Sequence, residues 1–256
     1  MIQTRKLGLL IFCSCAIFLV FPDPRTKRGQ DEPIWSKKGT VFWMGCADDF
    51  LRCRPLKIPS PDRANLVAID YDEDPKYPGI ETVRIKVFAS GKELGEVNPV
   101  GTVENELVWS PDSKAFFISG NDNANTWYHV AVHRLDDPKL GPNYITEEIE
   151  EDMVRSFPPC RAKDPIDHCE EVAAERDYFG TAGIDWIGNS SKMVVMAEVD
   201  CSSLMGGIMC AVLGYEIEVP SGRILQRMEP REFARRWQHS MAWKFHIPEP
   251  PEFQDE

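Results

Sequence analysis

The chain has 256 residues, with 29 basic and 41 acidic side chains and a formal net charge of −12 at pH 7. Setting apart an N-terminal leader that holds Arg5 and Lys6 leaves 27 basic against 41 acidic residues, a net charge near −14. That balance argues against a nucleic-acid backbone or an anionic membrane surface as the main partner, because either demands a basic face. About 235 residues remain, enough for one β-rich domain with a sizeable core or for two small ones.

Residues 1–21 read as the leader. Arg5 and Lys6 precede Leu7 to Phe21, a run without a charge, in the order of a secretory signal. At ~1.5 Å per residue the run reaches roughly 22 Å, short of the ~30 Å hydrocarbon core, so a stable spanning helix is disfavoured. Export with cleavage near residues 16–30 is preferred over an uncleaved anchor, lipidation at Cys15 or a buried core helix. The expected location is extracytoplasmic: secreted, periplasmic or anchored facing outward. Membrane contact is expected only through this segment, if it is uncleaved or lipidated. Residues 22–55 read as a linker that carries Cys46 and Cys53.

Beyond the leader, six cysteines fall as three couples: Cys46 with Cys53, Cys160 with Cys169, and Cys201 with Cys210. Six cysteines allow fifteen connectivities. Local pairing is expected, because each couple brackets a segment that reads as a loop. A two-residue turn at Met205-Gly206 sets Cys201 opposite Cys210 across a hairpin, whereas a turn at Gly206-Gly207 sets Ser203 there. A metal reading is weaker: no C-x-x-C knuckle occurs, and the one histidine beside a couple is His168.

Residues 56–245 carry a pattern that recurs three times. Leu56 to Asp70, Leu107 to Ser119 and Ile184 to Glu198 each show an apolar-x-apolar approach, a polar turn and an apolar run. Alternating strands follow. Val83, Ile85 and Val87 alternate with charged or polar neighbours, as do Tyr215, Ile217 and Val219, the period of a half-buried strand. Gly91-Lys92 and Gly222-Arg223 turn the chain into a last short strand. The expected unit has four strands.

Ser60-Pro61-Asp62 and Ser110-Pro111-Asp112, each before an apolar strand and a Gly-containing turn, resemble the repeats of TolB-type β-propellers. The resemblance implies a Ser-Pro-Asp turn that joins two inner strands of a blade. The glycine usual after Ser-Pro-Asp is Arg63 or Ser113 here, and the third copy has Asn189-Ser190-Ser191 instead. Three units, with at most a fourth begun at Met241 to Phe245, fall short of the four or more blades that close a ring. The expected fold is all-β and mainly antiparallel: a propeller-like or incomplete propeller of about three four-stranded units, with a short helical insertion and a C-terminal helix. Apolar-x-Trp at Trp109, Trp186 and Trp243 fits a repeat or ordinary core packing.

The insertion spans about residues 146–179. Ile149, Met153 and Phe157 lie at i, i+4 and i+8, and Thr146 is suited to an N-cap, so a short amphipathic helix is expected, followed by a Cys-stapled loop. The insertion reads either as a recognition element or as a cap over the sheet. A second helix begins at Pro230, with Phe233 and Trp237 inward and Arg231, Arg235 and Arg236 toward water or an acidic neighbour. Residues 246–256 are Pro-rich and acidic and read as a disordered tail.

Chemical motifs are scarce, and no catalytic, cofactor-binding or metal residue is assigned. Asp70, Asp72 and Asp74 alternate like the start of a calcium loop, but Pro75 stands where that loop requires glycine. Gly120 to Asn125 is rich in oxygen ligands and reads first as a turn. His129 and His133 lie four apart on a strand, roughly 13 Å and too far to share a metal, and both are expected on the exposed face. No nucleophile elbow, zinc-protease helix, phosphate loop or dinucleotide fingerprint occurs. Two functional readings follow. The first is an exported, noncatalytic binding or scaffold protein whose loops meet a protein or a glycan. If the ring is incomplete, its open sheet edges need a cover from the helices, a partner or a second copy. The alternative is an extracytoplasmic hydrolase, with glycan as its candidate substrate class, built on carboxylates such as Glu104, Glu106 and Asp185.

Overall fold

The computed structural model describes residues 33–44, 54–73, 81–121, 128–164, 169–170, 172, 178–201 and 203–244. The leader, Cys46, Cys53, Asp74, residues 122–127, His168 and the acidic tail lie outside the described residues.

Strand β1 (Thr40–Trp43) comes first and does not pair with its neighbour in sequence. The first sheet is a meander of β2 (Leu56–Pro59), β3 (Asn65–Glu73), β4 (Glu81–Ala89) and β5 (Lys92–Val97). The middle sheet continues with β6 (Glu104–Trp109), β7 (Ala115–Asn121), β8 (Tyr128–Arg134) and β9 (Asn143–Tyr144), and β1 joins it beside β6. The third holds β10 (Phe179–Trp186), β11 (Lys192–Val199), β12 (Val212–Glu218) and β13 (Ile224–Met228). All pairings are antiparallel, with Thr40 opposite Leu107 and Trp43 opposite Glu104 in the added strand. The fold is therefore the expected propeller-like set of three units. The segment read as a linker supplies a strand to the middle one.

Each sheet packs on the next. Ile58, Val67, Ile69, Ile85 and Val87 of the first sheet meet Leu107, Trp109, Phe116 and Ile118 of the middle one. The middle sheet's other face, with Val108, Phe117, Val130 and Val132, meets Trp186, Met193, Val195, Leu213 and Tyr215 of the third. In the first sheet the alternation read from sequence holds: Ile85 and Val87 are fully buried, while Arg84 is exposed on the opposite face. The middle sheet is covered on both faces, which corrects the expectation for one histidine. His133 is fully buried and stacks on Phe116, with ring centroids 5.1 Å apart. Alternation locates the two faces of a strand but not whether a second sheet covers each.

The repeated turns share one hydrogen-bonding plan. Ser60 and Ser110 each donate a hydroxyl to the aspartate two residues on, at 2.6 and 2.8 Å. Each also accepts the N–H of the residue five places on at 3.0 Å, from Asn65 and Ala115. In the third unit Ile187 takes the serine's place, and its N–H donates to the carbonyl of Lys192 at 3.0 Å. Arg63 and Ser113, where the resemblance expects glycine, both adopt left-handed backbone with φ of 62°. The turns also join neighbours. Asp62 donates its backbone N–H to Ser113 Oγ at 3.1 Å, and Ser190 donates its hydroxyl to Asp112 Oδ2 at 2.9 Å. Burial pushes the Asp112 carboxyl up, but hydrogen bonds from Ser110 and Ser190 outweigh it and hold it below the ordinary range.

Helix α1 (Glu147–Ser156) buries Ile149 and Met153, as their spacing predicts. Thr146 precedes it without capping a backbone N–H: its backbone is already helical rather than extended, and its hydroxyl donates to Glu150 Oε1 at 2.9 Å. Helix α2 (Pro230–Trp237) starts on its proline and buries Phe233 against the far face of the third sheet. Arg236 pairs with Glu216 and donates to Gln226 at 2.8 Å. Ile34, Trp35 and Met241 complete that cover, with Trp237 and Trp243 packed against it. Ser36 bridges Met241, and Ala242 donates its N–H to the carbonyl of Trp35 at 2.9 Å, so segments near the two ends of the described chain close on each other.

Candidate functional site

Among the acids that a hydrolase would draw on, Glu106 and Asp185 are engaged by the chain's own donors. Glu106, on β6 and 1% exposed, accepts the backbone N–H groups of Ile34 at 3.0 Å, Trp35 at 2.6 Å and Ser36 at 2.9 Å. Such donors offset the cost of burying a carboxylate. Gly39 lets the segment come this close: a Cβ there would lie 1.6 Å from Glu106 Oε1. Asp185, on β10, accepts Lys38 Nζ at 2.8 and 2.9 Å, the Ser240 hydroxyl at 2.7 Å and the Trp186 N–H at 2.8 Å. Together the two carboxylates pin residues 34–38 across the middle and third sheets. Glu104, half-buried on the same strand as Glu106, sits opposite Asn121 in the ladder.

The insertion helix closes a sheet edge. Ile224, on the outermost strand of the third sheet, donates its N–H to Glu148 Oε2 at 2.9 Å, which covers part of an edge that would otherwise accept another strand. Tyr215 donates its hydroxyl to Asp152 Oδ2 at 2.8 Å. Burial, reinforced by that carboxylate, pushes the Tyr215 phenol up. This part of the insertion is a cap.

The two stapled loops differ from the repeat plan and meet each other. Cys160 and Cys169 are bonded with Cα atoms 5.2 Å apart, and Cys201 and Cys210 with Cα atoms 4.5 Å apart, both as their spacing suggests. The link between Cys201 and Cys210 is not a two-residue hairpin turn: residues 203–208 form tight 3-10 turns kinked at Gly206. Gly206 has φ of 53° and packs on the Cys160–Cys169 loop so closely that a Cβ would lie 1.9 Å from the Asp164 carbonyl oxygen. A side chain is excluded there, and the two loops form one corner. Met209, 48% exposed, stands on it. The two disulfides point to an oxidising, extracytoplasmic environment.

Sequence reading missed Glu198, whose Oε1 lies 3.2 Å from Cys201 Sγ. The available signal was its place three residues before Cys201 at the end of a strand. Glu198, Cys201 and Cys210 offer ligand atoms within 4.8 Å of one another, the one such group of three among the described residues. No helix among the described residues is long and apolar enough to cross a membrane. Comparison with known proteins finds no matching family model, no matching curated protein and no matching solved structure.

Proposed function

We propose that this chain is an exported, noncatalytic binding or scaffold protein built from TolB-type repeats, meeting a protein or a glycan through the corner where its two stapled loops join. The contact between Gly206 and the Asp164 carbonyl carries this reading. It fixes two irregular, solvent-facing loops against each other on a rigid sheet, which is how β scaffolds commonly present recognition surfaces. Support comes also from Glu106 and Asp185, whose oxygens hold the N-terminal segment rather than lining a cleft. The leader is read as the export signal.

The test is to screen the purified protein against a glycan array and immobilised extracytoplasmic proteins, beside a Met209→Asp variant. Saturable binding that falls at least about tenfold in the variant, with an unchanged melting transition, is the expected result. Turnover of a glycan substrate by the wild-type chain, abolished by Asp185→Asn, would contradict it.

A further inference from the structure

The Cys201–Cys210 pair has chemistry around it that the Cys160–Cys169 pair lacks among the described residues. Glu198 Oε1 lies 3.2 Å from Cys201 Sγ, and this oxygen and both sulfurs fall within 4.8 Å of one another on half-buried residues. Cys160 sits exposed on a 3-10 turn instead.

The two cysteines are also neighbours for reasons independent of their own bond. Val199 donates its N–H to the Ala211 carbonyl at 2.8 Å, and Cys210 donates its N–H to the Val199 carbonyl at 3.1 Å. Glu198 pairs with Val212 in the same ladder. Opening the disulfide therefore leaves both thiols at the same strand ends, beside the carboxylate. Two thiolates and one carboxylate suit zinc, and thiolates disfavour magnesium and calcium. Tetrahedral bonding at about 2.0–2.3 Å sets ligand atoms about 3.3–3.8 Å apart, so Glu198 Oε1 already stands near that distance from Cys201 Sγ, and the two sulfurs reach it by separating once their bond opens.

We propose that Glu198, Cys201 and Cys210 form a redox-gated zinc site, closed as the disulfide and open as the dithiol. A dithiol reductant delivers two electrons and two protons to the disulfide and leaves as its own disulfide. Zinc then displaces both thiol protons to solvent and binds two thiolates and the Glu198 carboxylate, with a fourth position for water.

The full chain, reduced with a phosphine without denaturant, is titrated with cadmium as a zinc surrogate while the thiolate-to-metal absorption is followed. Wild type and Cys160→Ser/Cys169→Ser are expected to bind one equivalent that Cys201→Ser/Cys210→Ser does not. Glu198→Gln is expected to retain the absorption with affinity at least about tenfold weaker. Equal stoichiometry and affinity in wild type and Cys201→Ser/Cys210→Ser would overturn the proposal. So would a Cys201–Cys210 bond that cannot be reduced while the chain stays folded. If the double variant does not fold, alkylation of the reduced wild type decides the matter: zinc must protect both Cys201 and Cys210, and labelling undiminished by zinc refutes the site.

Discussion

Trp186 donates its indole N–H to the carbonyl oxygen of Val108 in the preceding unit, 3.2 Å away. Trp109 repeats the contact one unit earlier, donating to Ile58 at 3.1 Å. Val108 stands opposite Phe117 and Ile58 opposite Val67 in their own ladders, so each indole adds a donor from the next unit to a carbonyl that its own sheet already pairs. Trp109→Phe and Trp186→Phe are each expected to lower unfolding free energy by about 1 kcal/mol, because each loses one buried hydrogen bond between units while the carbonyl keeps its ladder partner. Urea denaturation checks this, and a loss near zero in both would show that the tryptophans are core filling alone.

Arg63 and Ser113 share the same left-handed backbone but differ in what their side chains do. Arg63 is exposed, so Arg63→Gly relieves strain and is expected to raise stability by up to about 1 kcal/mol. Ser113 is 2% exposed and its hydroxyl accepts the Asp62 N–H. Ser113→Gly therefore loses a junction between units, and its expected change is a loss of about 1 kcal/mol. Opposite signs at two positions of equal φ are the outcome to look for in thermal melts.

Glu106→Gln replaces an acceptor of three N–H groups by an amide that points N–H groups of its own at the same donors. The expected cost is about 3 kcal/mol, from the loss of charge-assisted hydrogen bonds in a buried setting. Hydrogen exchange should show the loss first as faster exchange at Ile34, Trp35 and Ser36. Unchanged protection there would mean that the segment is held by other contacts.

His133 supplies a pH dependence. Nδ1 lies 2.9 Å from the Leu140 carbonyl oxygen, which can only accept, so Nδ1 carries the proton. Nε2 is buried without a hydrogen-bond partner among the described residues. Burial pushes the imidazole below its ordinary value, outweighing the Leu140 hydrogen bond and the Asp137 carboxylate, which favour protonation. The unfolded chain thus takes up a proton more readily than the folded one. Stability is full above about pH 6.5 and declines as the pH falls below it. Melting temperatures measured from pH 8 to 5 should fall in wild type and stay flatter in His133→Phe. Parallel curves would assign the decline to other groups.

Much of the repeat body was legible because its signals are local. Ser-Pro-Asp encodes its own turn through Ser60 with Asp62 and Ser110 with Asp112, and the nine-residue spacing of Cys201 and Cys210 suits a short staple. What escaped depends on contacts distant in sequence. Nothing within residues 33–44 announces that Glu106, some seventy positions on, will collect their N–H groups. The burial of His133 depends on a neighbouring sheet that covers its face, and strand periodicity does not report that. The 3-10 turns at residues 203–208 pack at Gly206 on Asp164, a contact that no turn propensity encodes.

The most direct test of an exported, stapled module is peptide mapping by mass spectrometry of the chain recovered from outside the cytoplasm, digested without reduction. The expected result is a chain lacking its leader in which the peptides of Cys160 and Cys169, and those of Cys201 and Cys210, are linked. Free thiols at these four positions in a chain that retains Met1 and never leaves the cytoplasm would contradict it.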